Sequence, residues 1–522
     1  MKIDLDAVPS ETEFKSEICI IGAGIAGLLL ANRLAGYGLQ VHLLEAGGMS
    51  LEERSQALYK SEMQGVIHNG TTEGRFRTFG GSSTRWGGQI LSYTDEVFQT
   101  REMLDNIGWP ISEADIRTYY GEIFKIMGVN NLPFTDEVLQ RFGTRELLQS
   151  PDVRVRLSKF SPFYKRNLAK TIGRRCLASN RITVLFHANA ISVDLDAEAV
   201  RITSATAMNY RGGRFKFKAR EFIICTGTIE TSRLLLSSNS VHPCGVGNLA
   251  DQVGRFFHDH LTVKALRLGE QAKPIFGRFF SPYYVRGTLH SPKLEATASL
   301  QERLRLPQVM AQFFIHEGEG TEFSLLRQTL EELQRWNLTL GRARQLPLLL
   351  KGVARTMFAL KVKGRRLISP RASVSMNIEA EQLPRPDSRI QISKKVNVLG
   401  IPETIVNWKI SNEDGDSMRR YASVMDVFLK SIGMTHLDWN PRLQDDAQAW
   451  VQAGIDNFHP MGGTRMGTSQ DSSVVYKNLR VHGLANLYIA SCSVFPSGGS
   501  SNPTFTMMAL ACRLADFLQH KG

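Results

Sequence analysis

Hydrophobic and polar positions along this chain fall into two patterns. Near the start, Ile18-Cys-Ile-Ile21 is an unbroken apolar run, as in a strand buried on both faces. A glycine-rich turn follows it, then a helical stretch from Leu28 to Leu34 and a second apolar run, Val41 to Leu44, that closes on Glu45. This is the order of a βαβ unit. Further strands are predicted at Ile182–His187, at Glu221–Cys225 after a meander turning at Arg211–Gly213, and at Asn486–Ala490, ahead of a C-terminal helix from about Met507 to Leu518. Ser373–Ile378 and Arg389–Ser393 instead alternate with period two, the mark of half-buried antiparallel strands, and a turn at Asn397–Gly400 predicts a hairpin. Residues 320–362 read as mostly helical, with Pro347 breaking or starting one helix. The chain shows no internal repeat and no low-complexity tract.

The first turn carries chemistry. Gly22 permits a tight turn, Gly24 lets the backbone approach a pyrophosphate, and Gly27 lets the helix pack on the sheet. The helix then aims its N-terminal N–H groups at the phosphates. Glu45 is placed to accept from both ribose hydroxyls. Strand, helix and acid in this order specify a dinucleotide site far better than a lone glycine pattern, but they do not choose between NAD and FAD.

The far end of the chain bears on that choice. Asn457-Phe-His-Pro-Met-Gly-Gly-Thr-Arg-Met-Gly467 precedes the Asn486–Ala490 strand, and Ser497-Gly-Gly-Ser-Ser-Asn502-Pro-Thr opens the last helix. His459 and Asn502 start the two loops, 43 positions apart, with a strand between them that can bring them side by side. The chain resembles the glucose–methanol–choline (GMC) flavin oxidoreductases over nearly its whole length. The resemblance also rests on Phe79-Gly-Gly-Ser-Ser-Thr-Arg-Trp-Gly-Gly88, Gly108-Trp-Pro-Ile-Ser112, the stretch Ile223–Leu236, Asp251-Gln-Val-Gly-Arg255 and Glu381–Ile390. In motif it is closest to the pyranose 2-oxidase and glycoside oxidase branch.

What the resemblance implies is specific. The fold is α/β, a Rossmann-like FAD-binding domain with an α+β substrate domain built on an antiparallel sheet. Gly80, Gly81, Ser83, Thr84, Arg85, Trp86 and Gly87 form the flavin-embracing loop, and Asn502, Pro503 and Thr504 meet the flavin from the C-terminal helix. The activity is oxidation of an alcohol, most readily on a sugar, amino sugar or glycoside, by hydride transfer to flavin N5. His459 serves as base and Asn502 as donor to the alcohol oxygen. The alternative is a flavin-containing lyase such as a hydroxynitrile lyase. Two departures matter. Arg85 stands where that branch often has a histidine bonded to the flavin, so FAD is expected to be non-covalent. Ala490-Ser491-Cys492 stands where Ala-Asp is common, so a carboxylate contact there is not expected. Arg465 is read either as a partner for an anionic flavin or as a structural loop residue.

Length and composition narrow the rest. A chain of 522 residues exceeds one usual core. The FAD-binding domain is expected from residues 1–105, 180–260 and 446–522, and the substrate domain from 106–179 and 261–445. The six cysteines show no CxxC spacing, so no metal site is expected, and His258-Asp259-His260 is read as a polar domain junction. Reduced thiols, an acidic N-terminal stretch unlike a leader, and no apolar run near 18 residues place the protein in the cytoplasm. The net charge of +13 is concentrated between Gln334 and Arg371, which holds ten Lys or Arg and no acid. Leucines interleave with those charges. The segment reads either as a solvated insertion helix over the substrate domain or as a contact with an anionic surface. Nucleic-acid binding is not expected. The expected partners are a small alcohol or sugar and an electron acceptor, whether oxygen, a quinone or another carrier.

Overall fold

The computed structural model describes residues 1–105, 107–318, 321–335, 346–366, 368–369, 371–443 and 446–521. Three sheets organise it. The first has eight strands, with Lys2–Asp4, Ile182–Phe186, Val41–Leu44, Glu13–Ile21, Arg214–Ile224, Ile202–Met208 and Asn189–Leu195 in spatial order, and Leu487–Ile489 on Arg214–Ile224. Arg214–Ile224 changes partner along its length. Its first half runs antiparallel to the meander strand Ile202–Met208, and its apolar end runs parallel to Leu487–Ile489. The parallel strands are apolar because helices cover both faces. Leu28, Leu30 and Leu34 of the Ile25–Gly36 helix and Met508 and Leu510 of the Pro503–Lys521 helix share one core with Ile20, Leu43, Ile223 and Ile489.

The second sheet has nine antiparallel strands. From one edge seven of them run Leu437–Trp439, His260–Leu268, Ser373–Glu381, Val309–His316, Thr288–Ala296, Val153–Phe160 and Gln89–Ile90, with Tyr283–Val285 also paired to Thr288–Ala296 and Ile455–Asp456 to His260–Leu268. A 20-residue helix, Asn412–Ser431, packs on it through Met418, Tyr421 and Met425. Ser411 and Asp414 form a reciprocal cap at its start.

The expected hairpin is present, with Arg389–Val396 antiparallel to Pro402–Trp408. It does not join Ser373–Glu381, however. Pro402–Trp408 pairs in parallel with Ser61–Gly65 to make a separate three-stranded sheet. Period-two alternation shows that a strand is half-buried, not which sheet it enters. The last helix begins at Pro503, a few residues before the expected start, because a proline at the first helical position gives up no hydrogen bond.

The basic stretch contains helices Glu322–Arg335 and Leu346–Phe358, with Pro347 in the first turn of the second. Arg342 and Arg344 lie outside the described residues. Among the described residues no helix is long and apolar enough to cross a membrane.

Candidate active site

A cavity of about 540 Å³ runs between the first sheet and the loops before the last helix. Of the residues expected at the site, Gly22, Gly24, Glu45, Gly81, Arg85, Trp86, Gly87, His459, Pro503 and Thr504 line it. Gly27, Gly80, Ser83, Thr84 and Asn502 stand behind that lining, and their contacts show why those residue types are needed.

At one end the backbone does the work. Gly22 has φ +103°, and a Cβ there would lie 2.7 Å from the Cys225 carbonyl oxygen, so the strand can turn only with glycine. Gly24, which caps the Ile25–Gly36 helix, meets nothing within 4 Å and leaves the helix N-terminus open to the cavity. A Cβ on Gly27 would sit 1.9 Å from the Gly22 oxygen, so its absence lets helix and strand close. Glu45 is buried and accepts from the Ala23 and Gly47 amides at 3.2 and 2.9 Å. Burial raises its pKa. The second glycine loop docks on the first. The Gly80 amide donates to the Ala23 oxygen at 2.9 Å, and Ser83 and Thr84 donate back to the Gly80 and Gly81 oxygens at 2.6 and 2.8 Å.

Beyond Glu45 lies a network the sequence did not announce. Glu230 accepts from Arg75, Arg77 and Arg233 at 3.2, 3.4 and 2.8 Å. Although burial opposes it, these guanidinium charges hold the Glu230 carboxyl at about 2. All four residues border the cavity. The alternation of Arg75 and Arg77 ahead of the Gly80 loop was the available signal.

The other end is built from side chains. His459 and Asn502 meet as expected, with Asn502 Nδ2 3.3 Å from His459 Nε2. Asn502 Oδ1 is buried and has no hydrogen-bond partner among the described residues. The His459 backbone amide donates to the Asp259 carboxylate at 2.8 Å. His459 Nδ1 lies 3.0 Å from His260 Nδ1, and His260 Nε2 lies 3.1 Å from the Gly498 carbonyl oxygen.

That chain of contacts sets the tautomers. A carbonyl only accepts, so His260 carries its proton on Nε2 and accepts at Nδ1. His459 must therefore donate from Nδ1, which leaves the Nε2 lone pair as its acceptor. Burial holds the His459 imidazole well below its ordinary pKa, and the positive charge of nearby Lys293 pushes it the same way. Lys293 is itself buried and lowered to about 8. Nearby, Glu379 accepts from Asn457 at 3.2 Å and from Gln312. His258, Asp259 and His260 are thus a junction that reaches the site. His258 turns away to the Phe256 oxygen at 2.7 Å, while Asp259 and His260 hold His459. Arg465 takes the structural role. Its guanidinium lies 3.4 Å from the Phe256 ring centre, Nε donates to the Ser472 oxygen at 2.9 Å, and burial lowers it to about 10.

A family model described as GMC oxidoreductase matches residues 384–511, which include the loops of His459 and Asn502, and one for an NAD(P)-binding Rossmann-like domain matches residues 20–54. Full-length relatives agree. The chain is 24% identical to the fructose dehydrogenase large subunit of Gluconobacter japonicus, over 97% of this chain and 98% of that one. The chain carries a GMC oxidoreductase domain in its C-terminal part. It is also 22% identical to the 6'''-hydroxyparomomycin C oxidase of Streptomyces lividus, covering 95% of this chain and 90% of that protein. The fold matches the crystal structure of pyridoxine 4-oxidase from Mesorbium loti with a TM-score of 0.60 at 17% identity, over 97% and 99% of the two chains. The chain is a flavin oxidoreductase that uses FAD and acts on alcohol groups. The residues present fit that cofactor: an open glycine-capped helix end, a buried carboxylate beside it, and an orphaned amide oxygen at the opposite end.

Proposed function

We propose that the enzyme oxidises a hydroxyl of a sugar, amino sugar or glycoside to a carbonyl, with His459 as base and Asn502 as the group that orients the alcohol. The observation that carries this reading is the His260–His459 contact at 3.0 Å, which leaves a neutral Nε2 lone pair beside the Asn502 amide. Bound FAD supplies the hydride acceptor at N5; the chain supplies the rest. His459 Nε2 takes the hydroxyl proton, and Nδ1–H stays tied to His260 so the ring cannot turn. Asn502 Nδ2 donates to the same oxygen and fixes the direction of the C–H bond. Asn457 borders the cavity beside His459 and is tied to Glu379, a polar setting suited to a substrate with several hydroxyl or amino groups, as the names of the fructose and hydroxyparomomycin relatives suggest.

In this reading residues 1–105, 180–260 and 446–522 bind FAD without a covalent link, through the Gly22–Gly27 turn, Glu45, the Gly80–Gly87 loop and Pro503–Thr504. Residues 106–179 and 261–445 form the substrate side. The compartment is the cytoplasm, in keeping with six unpaired cysteines. The acceptor that reoxidises the flavin is oxygen, a quinone or another carrier. Anaerobic mixing with a panel of sugars, amino sugars and glycosides tests the assignment. Bleaching of the flavin by members of the panel is expected. A substrate that is turned over while the flavin stays yellow would move the enzyme to the flavin-containing lyases.

A further inference from the structure

The helix Leu346–Phe358 is inside out for a helix on the surface of a soluble protein. Its inward face is small and partly polar: Gly352 and Ala359 are buried and Thr356 is half-buried. Its outward face is apolar. Leu350 is 59% exposed, Val353 39%, Met357 45% and Phe358 57%, and Val362 in the following wide turn is 66% exposed. Positions 350, 353, 357 and 358 fall on one side of a helix, so these side chains form a continuous stripe. Scattered exposed apolar residues need no explanation, but a stripe of large ones along a single helix does.

The flanking charge says what covers it. Lys351, Lys361 and Lys363 are exposed beside the stripe, and no Asp or Glu occurs between Gln334 and Arg371. The segment is also held firmly at its end. Arg365 lies 3.9 Å from the Tyr283 ring centre and donates to the Gly277 oxygen at 3.1 Å, and Arg366 pairs with Glu317 at 3.5 Å. Those two arginines are therefore anchors to the substrate-side sheet, and the lysines are the charges left to face outward. Apolar side chains in the middle with lysines at the border, on an anchored helix, match the boundary between acyl chains and anionic headgroups.

We propose that the enzyme docks peripherally on an anionic lipid bilayer through Leu350, Val353, Met357, Phe358 and Val362, with Lys351, Lys361 and Lys363 at the headgroups. The two contributions act differently. The lysines draw the protein in and are screened by salt, whereas the apolar stripe retains it.

Flotation of the FAD-loaded enzyme with vesicles tests this, using phosphatidylcholine alone and phosphatidylcholine mixed with phosphatidylglycerol. Wild type is expected to float with the anionic vesicles at low salt and hardly at all with the neutral ones. Replacing Lys351, Lys361 and Lys363 together with Gln should weaken partition about 100-fold, given the usual contribution of each basic residue near such a surface. Met357→Ser with Phe358→Ser should abolish flotation even at low salt. Flavin content and turnover of a soluble substrate should be unchanged in both variants, which shows that they fold. Equal flotation of the lysine variant and wild type, or no flotation of wild type, overturns the proposal. So does a self-association or a complex with an acidic protein that the serine variant breaks while vesicles are ignored.

Discussion

The two ends of the cofactor cavity are made in opposite ways. At the nucleotide end, neighbours in sequence do most of the work. Gly22, Gly24, Gly27 and Glu45 lie within one βαβ unit, and the role proposed for them needs only backbone amides, missing Cβ atoms and one carboxylate. At the catalytic end every important contact is long-range. His459 is 199 positions from His260 and 43 from Asn502. At Gly22 and Gly27 the first end has no room for a side chain. The second depends on which nitrogen holds a proton, which is a property of the assembled network rather than of any residue in it.

The largest test of that difference is His459→Ala. It should retain FAD and lose about 10²–10⁴-fold in the rate of flavin reduction by substrate, the usual worth of general-base assistance. Stopped-flow reduction at the wild-type rate would falsify the base assignment. A sharper test is His260→Gln, because His260 is a positioning residue that joins the base to the Gly498 carbonyl. A loss of about 10–100-fold in kcat is expected, the usual scale for a group that orients another. The pH profile separates orientation from mere disruption. In the wild type the base is neutral well below its ordinary value, so kcat/KM should hold as pH falls through 6.5 and decline only below it. With His260 neutral and burial the main cause of that depression, the acidic limb should stay in place in the variant while kcat falls. A limb that moves up toward 6.5 would mean that the substitution opens the site to water and that His260 is only structural.

The same contrast explains what could be read from the sequence. The Ile18–Ile21 run, the glycine turn and Glu45 are local, and their periodicity and spacing carry the structure with them. His459 and Asn502 were recognisable by motif. His260 was visible as half of a His-Asp-His triplet, but nothing local says that strand His260–Leu268 delivers it to a loop 199 residues later. Lys293 and Glu379 looked like ordinary strand residues, since alternation marks which face is buried and not that a charge at a buried position lies near His459. The hairpin at residues 389–408 makes the same point, as its turn was legible and its parallel pairing with Ser61–Gly65 was not.

At the nucleotide end the expected effects are smaller and fall on binding. Glu45→Ala should weaken FAD retention roughly tenfold, since a hydrogen bond to a charged group contributes about 1.5 kcal/mol at the lower end of its range. Once saturated with FAD the variant should reduce at the wild-type rate. Dialysis against buffer followed by FAD titration gives the affinity, and single-turnover reduction gives the rate. A slow chemical step in the saturated variant would erase the division of labour between the two ends.

The last prediction is of no effect at all, and it concerns the boundary between the ends. Acid precipitation should release the whole flavin complement into the supernatant. Side chains able to bond a flavin must be nucleophilic and border the cavity, and those present are disarmed. Arg85 lines the cavity with a guanidinium that stays protonated and lies 5.2 Å from the Phe76 ring centre. Cys225 and Cys492 also line it, but burial pushes both thiols up, Cys492 to about 12, so neither supplies a thiolate. Tyr59 is raised by burial as well, despite the nearby Arg75 and Arg77 charges. Among the described residues His459 is the one imidazole on the lining; its Nδ1 is tied to His260, and a bond at Nε2 would consume the lone pair that the base needs. Yellow colour that stays with the washed, denatured pellet would show a covalent anchor. Mass analysis of the flavin peptide would then say which of these side chains is less inert than its surroundings require.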